Sequence, residues 1–357
     1  MRGLTIAKVA AEAGVGVGTV SRVLNGSPSV SEDTRRRVLE AIAALDYQPS
    51  AVARALSTGR THAVGVVAPF FTQPSVVERL RGISLRLARS GYQLVLFDVE
   101  RSDQRRETFR ALSMRGRVDG VLSISLAPSE RDAARLESAG TPVVLVDRDH
   151  DALPTVTVDD VEGGRLAASH LLALGHRAIA FVGDEEENPF GFDSSARRRA
   201  GFEAALLDAG VPLRPEWVRR GPHGRAAGRR SGAALLALGE RPTAIFASSD
   251  VQAIGVLEAA RDAGVRVPED LSVIGFDDVE AAAYAGLTTV TQSLEESGAV
   301  GADLLLRALA GDPVEGRRLP LAIVERHTTA RRVASGRKRG TGLSQRRSAD
   351  HDGGGMQ

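Results

Sequence analysis

Thr5-Ile6-Ala7-Lys8-Val9-Ala10-Ala11-Glu12-Ala13-Gly14-Val15, followed by Gly16-Val17-Gly18-Thr19-Val20-Ser21-Arg22-Val23-Leu24-Asn25, decides how this chain is read. Apolar residues fall at Ile6, Val9, Ala10 and Ala13, and again at Val20, Val23 and Leu24. That spacing puts each set on one face of a helix. Two short helices joined by a tight, glycine-bearing turn form a helix-turn-helix, whose second helix enters the DNA major groove. Gly14, Gly16 and Gly18 also imitate a dinucleotide-binding loop. The G-x-G-x-x-G pattern fails here, because Thr19 and Ser21 stand where its last glycine would fall and a helix precedes it instead of a strand.

Moving outward, Ser31 is a good N-cap for a third helix over 32–45, with Val38, Ile42 and Leu45 on one face. Pro49 ends that unit. Residues 50–58 make a short helix candidate, too short to hold alone in water. From Ala63 the pattern changes. Strand candidates are 64–69, 92–99, 120–124, 142–147, 155–159, 178–183, 244–248 and 272–276. Helical stretches at 75–90, 103–115, 162–174, 195–209, 225–238 and 251–263 separate most of them. Such alternation argues for doubly wound parallel sheets. Gly91, Gly140, Gly175, Gly210 and Gly264 follow helices as C-terminal caps do.

The wording of the first segment is closer than a generic motif. Val9-Ala10, Ala13-Gly14-Val15, Thr19 to Asn25, Ser31-Glu32-Asp33-Thr34-Arg35, Leu45 to Pro49 and Ala53-Arg54-Ala55-Leu56 resemble the LacI-type (lactose and purine repressor) family. The resemblance implies an N-terminal all-α helix-turn-helix headpiece and an α/β, two-lobed, periplasmic-binding-protein-like core of doubly wound parallel sheets. The boundaries expected are 1–49 for the head, 50–60 for a hinge helix and linker, 61–330 for the effector-binding and dimerisation core, and 331–357 for a basic tail. The lobes would be hinged near 159–162 and near 290, with three chain crossings, the run 319–328 returning to the second lobe.

Composition agrees. Residues 1–60 hold 8 Lys/Arg against 5 Asp/Glu, and residues 331–357 hold 7 against 2, whereas the body is acidic. Basic ends on an acidic body fit a DNA-binding head carried by another module. The tail, rich in Gly, Ser and Arg, reads as disordered. With no Cys, no disulfide or thiolate site is available. No apolar run approaches the roughly 18 residues of a membrane span and no export signal is evident, so the cytoplasm is expected. There is no P-loop, G-x-S-x-G or H-E-x-x-H. No catalytic residue, metal or cofactor is therefore expected.

The resemblance also implies site residues. Val17, Gly18 and Arg22 would face bases, with Arg22 able to grip a guanine by two hydrogen bonds. Thr5, Thr19, Ser21, Asn25, Ser31 and Thr34 would meet phosphates, a capping or solvated role being the alternative for each. Leu56 would wedge into the minor groove, with Ala53 facing it. The partners are double-stranded operator DNA, a second copy of the chain and a small-molecule effector. A homodimer is expected and not a tetramer, because 331–357 holds only Leu343 and no leucine heptad.

For the effector, the strongest sequence clue is the set of polar residues at strand ends, where parallel sheets bind ligands. Asp147, Asp250 and Asp277 stand at such ends, and Arg198, Gln292 and His223 match family contact positions. Ser75 and Phe71 complete the candidate set. Relatives place two aromatics after an Asn-Pro following the first core strand, whereas this chain has Gln73-Pro74-Ser75-Val76. Phe70, Phe71, Phe190 or Phe192 would have to supply the ring-stacking surface. A sugar or sugar derivative is the expected effector. Two other readings remain: a sugar-binding module without DNA function, and a regulator that has lost its ligand.

Overall fold

Gly14, at φ +63°, turns the chain out of the first helix. The structure is a computed structural model that describes residues 5–24, 26–47, 59–114, 116–185 and 187–332. Asn25, the expected 50–58 helix with Ala53 and Leu56, and all but the first two residues of the basic tail lie outside them. The head has α1 (Ile6–Glu12), α2 (Val17–Leu24) and α3 (Glu32–Ala44). Val9, Ala13, Val20, Val23, Val38 and Tyr47 fill its small core. The Ser31 side chain accepts from the Thr34 amide, satisfying an open donor of α3. Arg37 Nη2 donates to Ala13 O at 2.9 Å, tying α3 to the turn.

The core contains two six-stranded sheets. The first comprises β1 (Ala63–Pro69), β2 (Gln93–Val99), β3 (Gly120–Ile124), β4 (Val143–Val146) and β5 (Thr155–Thr157), joined late in the chain by β11 (Arg317–Arg318). Its order is β11-β5-β4-β3-β1-β2, parallel throughout. The second comprises β6 (Ile179–Asp184), β7 (Val218–Gly221), β8 (Ala244–Ala247), β9 (Ser272–Asp277), β10 (Thr288–Thr291) and β12 (Ala322–Val324). Its order is β12-β10-β9-β8-β6-β7, with β12 antiparallel to β10. Within each lobe the second strand flanks the first on the side away from the third, and ligands gather where strand order reverses in this way.

Helices pack closely on these sheets: α4 (Pro74–Ala88), α5 (Ser102–Leu112), α6 (Glu130–Ser138), α7 (Asp160–Ala173), α8 (Ser194–Asp208), α9 (Arg225–Leu236), α10 (Asp250–Asp262), α11 (Glu280–Tyr284) and α12 (Leu294–Ala310). Although α12 follows the second sheet in sequence, its Leu304 and Leu305 join Val66, Leu122 and Val144 in the core of the first lobe. The chain thus passes between lobes before α7, between β10 and α12, and between β11 and β12. Helices α7 and α8 meet at backbone contact: a Cβ on Gly164 would lie 1.9 Å from Arg198 O, and one on Gly201 1.8 Å from Val161 O.

Helix α12 escapes a propensity reading because Gly298 and Gly301 weaken the helical pattern. Gly298 is there for contact, since a Cβ would lie 2.0 Å from Arg79 O. Strands β7 and β11 are arginine-bearing edge strands without an apolar run.

Candidate functional site

Two places carry chemistry. On the head, Val17 is 46% exposed, and the space beyond a Cβ at Gly18 is open. Arg22 lies back along its own helix, Nε to Gly18 O at 3.3 Å and Nη2 to Thr19 Oγ1 at 3.4 Å. Both bonds are long, so exchanging them for a base edge costs little. Thr5 precedes α1 without making a side-chain cap. Ser31 Oγ donates to Thr34 Oγ1 at 2.9 Å, so these two hydroxyls are partly engaged in capping α3. Ser21 is half-buried on α2.

The second place is a cleft of about 680 Å³ between the carboxyl ends of the two sheets. Its wall includes Ser75, Asp147, Arg198, His223, Asp277 and Gln292 from the expected set. Two expected residues lie off it. Asp250 is fully buried, with Oδ1 accepting from Thr289 Oγ1 at 2.6 Å and Oδ2 from the Val279 amide at 2.9 Å. It ties β10 and the start of α11 to α10, and burial holds its carboxyl well above the usual range. Phe71 is 39% exposed and is not part of the cavity wall, its amide donating to Asp98. Phe70 takes its place. Its ring meets Phe190 edge-on at 5.1 Å, and Phe190 lies parallel to Phe192 at 5.3 Å. The aromatic surface thus comes from both lobes.

A chain of polar contacts runs through the floor. Arg79 pairs with Asp147 at 2.8 Å and donates to Gln292 Oε1 at 3.0 Å. Gln292 Nε2 donates to Asp277 at 2.6 Å. Arg198 reaches Asp277 at 3.5 Å, Asp160 at 2.8 Å and Ser248 O at 2.7 Å, with its guanidinium 3.6 Å above the Phe276 ring centre. Burial raises the Asp277 and Asp160 carboxyls above their ordinary range, against the pull of Arg198. On the far wall His223 Nδ1 lies 3.1 Å from Asp184, which also accepts from Gln252 Nε2 at 2.9 Å.

The lip is bridged reciprocally. Arg148 of the first lobe pairs with Asp193 of the second, and Arg197 of the second pairs with Asp149 of the first.

The sequence reading missed Arg79, Asp160, Asp184 and, at the lip, Asp149, Asp193 and Arg197. Arg79 did leave a signal: it falls between Val76 and Ile83 on the core-facing stripe of α4, where a charge needs an explanation.

Comparison with known proteins decides the family. The profile of bacterial regulatory proteins of the lacI family matches residues 5–50, and that of the periplasmic binding protein-like domain matches residues 168–329. Catabolite control protein A of Priestia megaterium is 35% identical over 333 residues, covering 91% of this chain and 99% of that protein. The chain belongs to the lacI family. The HTH-type transcriptional repressor PurR of Erwinia tasmaniensis is 35% identical over 334 residues, 91% of this chain and 97% of that protein. The lac repressor dimer bound to operator and the anti-inducer ONPF aligns with a TM-score of 0.80 at 29% identity, covering 92% of this chain and 100% of that one. A complex of the regulator CelR with cellobiose aligns with a TM-score of 0.67 at 32% identity, covering 91% and 100%. As a lacI-family member, the chain is a ligand-responsive, DNA-binding transcriptional regulator. Among the described residues no helix is long and apolar enough to cross a membrane, and no three metal-ligating side chains gather.

Proposed function

We propose that the protein represses transcription as a homodimer on a pseudo-palindromic operator in the cytoplasm, and that a sugar or sugar derivative in the cleft resets its grip on DNA. The observation that carries the effector reading is the polar chain from Asp147 through Arg79, Gln292, Asp277 and Arg198 to Asp160, which joins both lobes along one cavity floor. A polyol inserted there offers paired donors and acceptors to carboxylates and guanidinium groups. Closing the lobes around it would shift the population between two arrangements, and hence the spacing of two heads. Arg22, Val17 and Gly18 would face the bases, with Thr5, Thr19, Ser21, Asn25, Ser31 and Thr34 on phosphates and Leu56 with Ala53 in the minor groove.

A dimer suits the surface. Val77 and Leu85, spaced on one stripe of α4, are exposed, as is Tyr284 on α11, and Arg81 approaches Glu280 between those helices at 3.9 Å. The protein would act by binding and not by turnover, as its regulator relatives do. Footprinting on promoter DNA, repeated with a sugar panel, tests this reading. Light scattering should give about twice the monomer mass, as for a closed two-fold pair. A footprint that no effector moves would instead favour a ligand-independent regulator.

A further inference from the structure

The electrostatics of the cleft point to a narrower class of effector: we infer that it is an uncharged polyhydroxylated molecule, such as a neutral mono- or disaccharide, and that phosphorylated sugars are excluded. The inference rests on the effector reading above and deepens it.

Phosphate recognition needs cationic groups or helix N-termini left open for an anion. No cationic side chain of the wall is without a carboxylate partner, His223 being paired with Asp184. Six carboxylates line the wall against four guanidinium groups. Each guanidinium already lies within ion-pair distance of a carboxylate: Arg79 with Asp147, Arg148 with Asp193, Arg197 with Asp149, and Arg198 with Asp160 and Asp277. Three of the helix N-termini at the cleft also carry carboxylates. Asp159 and Asp160 stand at the start of α7, Asp193 at the start of α8 and Asp250 at the start of α10. A phosphate would add like charge to crowded carboxylates, two of which burial already holds above their usual range.

The wall instead offers what a neutral polyol takes. Arg79 is 3% exposed, and its Nε is the one buried side-chain nitrogen or oxygen among the described residues with no hydrogen-bond partner. That N–H takes any acceptor, whereas the carboxylates of the wall take only donors, which a polyol's hydroxyl groups supply and an ionised phosphate does not. The Phe70, Phe190 and Phe192 rings supply an apolar surface for the C–H face of a sugar ring. The volume, about 680 Å³, is ample for a drug-sized ligand and does not restrict the effector to a single ring.

The test is calorimetric titration of the full-length protein with glucose, maltose, cellobiose and trehalose, then with glucose 6-phosphate, trehalose 6-phosphate and hypoxanthine. At least one neutral sugar should bind, and its phosphorylated counterpart should bind at least about tenfold more weakly. In the double variant Asp149→Asn, Asp193→Asn, which releases Arg197 and Arg148, the affinity ratio of phosphorylated to neutral sugar should rise. Tighter binding of a sugar phosphate to the unaltered protein, or an unchanged ratio in the variant, overturns the inference while leaving a sugar-sensing cleft standing. Binding of hypoxanthine alone, or of nothing in the panel, overturns the sugar reading itself and this inference with it.

Discussion

Arg79 and Gln292 meet across the junction of the lobes, Nη2 of the arginine donating to Oε1 of the glutamine at 3.0 Å. Arg79 belongs to the first helix of one lobe, whereas Gln292 lies on the segment by which the chain leaves the other. Both are almost fully buried, at 3% and 2% exposure. Gln292 can serve two opposite charges because an amide both accepts and donates. Replacing it with Ala leaves Arg79 and Asp277 each short of a partner. Chemical denaturation of Gln292→Ala should show a loss of about 1–3 kcal/mol. Unchanged stability would mean that the junction is carried elsewhere.

The α7–α8 contact makes a sharper prediction. A methyl group at Gly164 would drive into Arg198 O. Gly164→Ala must separate the two helices and should cost about 1–3 kcal/mol or more. It also shifts the backbone that carries Arg198, so effector affinity should fall with stability. Gly18→Ala is the contrast. Nothing lies within 4 Å of a Cβ there, and the mutation should be neutral or stabilise the head by up to about 1 kcal/mol. Thermal melts of both proteins check the pair of outcomes.

Arg22 is the one long side chain among the three expected base readers. Arg22→Ala should cost about 1–3 kcal/mol on operator DNA and much less on scrambled DNA, because phosphate contacts carry no sequence information. Mobility shifts at a fixed salt concentration measure both. Equal losses on the two DNAs would assign Arg22 to the backbone.

His223 gives a signed pH dependence. Burial opposes its charge, but the hydrogen bond and charge of Asp184 prevail, with Asp277 adding and Arg198 opposing, so its pKa stands above the ordinary 6.5. The folded protein therefore holds this proton more tightly than the unfolded chain. The contribution is fully present below about pH 6.5 and is lost as pH rises through the raised value. The melting-temperature gap between the unaltered protein and His223→Gln should shrink as pH rises from about 6 to about 9. A gap that stays constant removes the charged pair from the account.

Legibility differed between the two parts for physical reasons. The head reads from local pattern, since Val9, Val20 and Val38 are core positions set by helical spacing and Ser31 caps as its chemistry dictates. The β–α alternation of the core was equally plain. The cleft was harder, because its members depend on where remote strand ends converge. Asp147 and Asp277 end strands on the cleft, but Asp250, also just beyond a strand, turns inward to Thr289 and the Val279 amide. Phe70 and Phe71 are neighbours in sequence, and only the backbone separates their roles: Phe70 takes a left-handed conformation, φ +46°, and its ring joins the cleft.

The stretch 187–193 leaves the second lobe, sets Phe190 and Phe192 against the first, and ends at Asp193, the partner of Arg148. It contributes to the wall without belonging to either sheet. Because Phe190 is itself part of the buried core of the first lobe, a substitution in this stretch would alter the cleft wall and the packing of that lobe together.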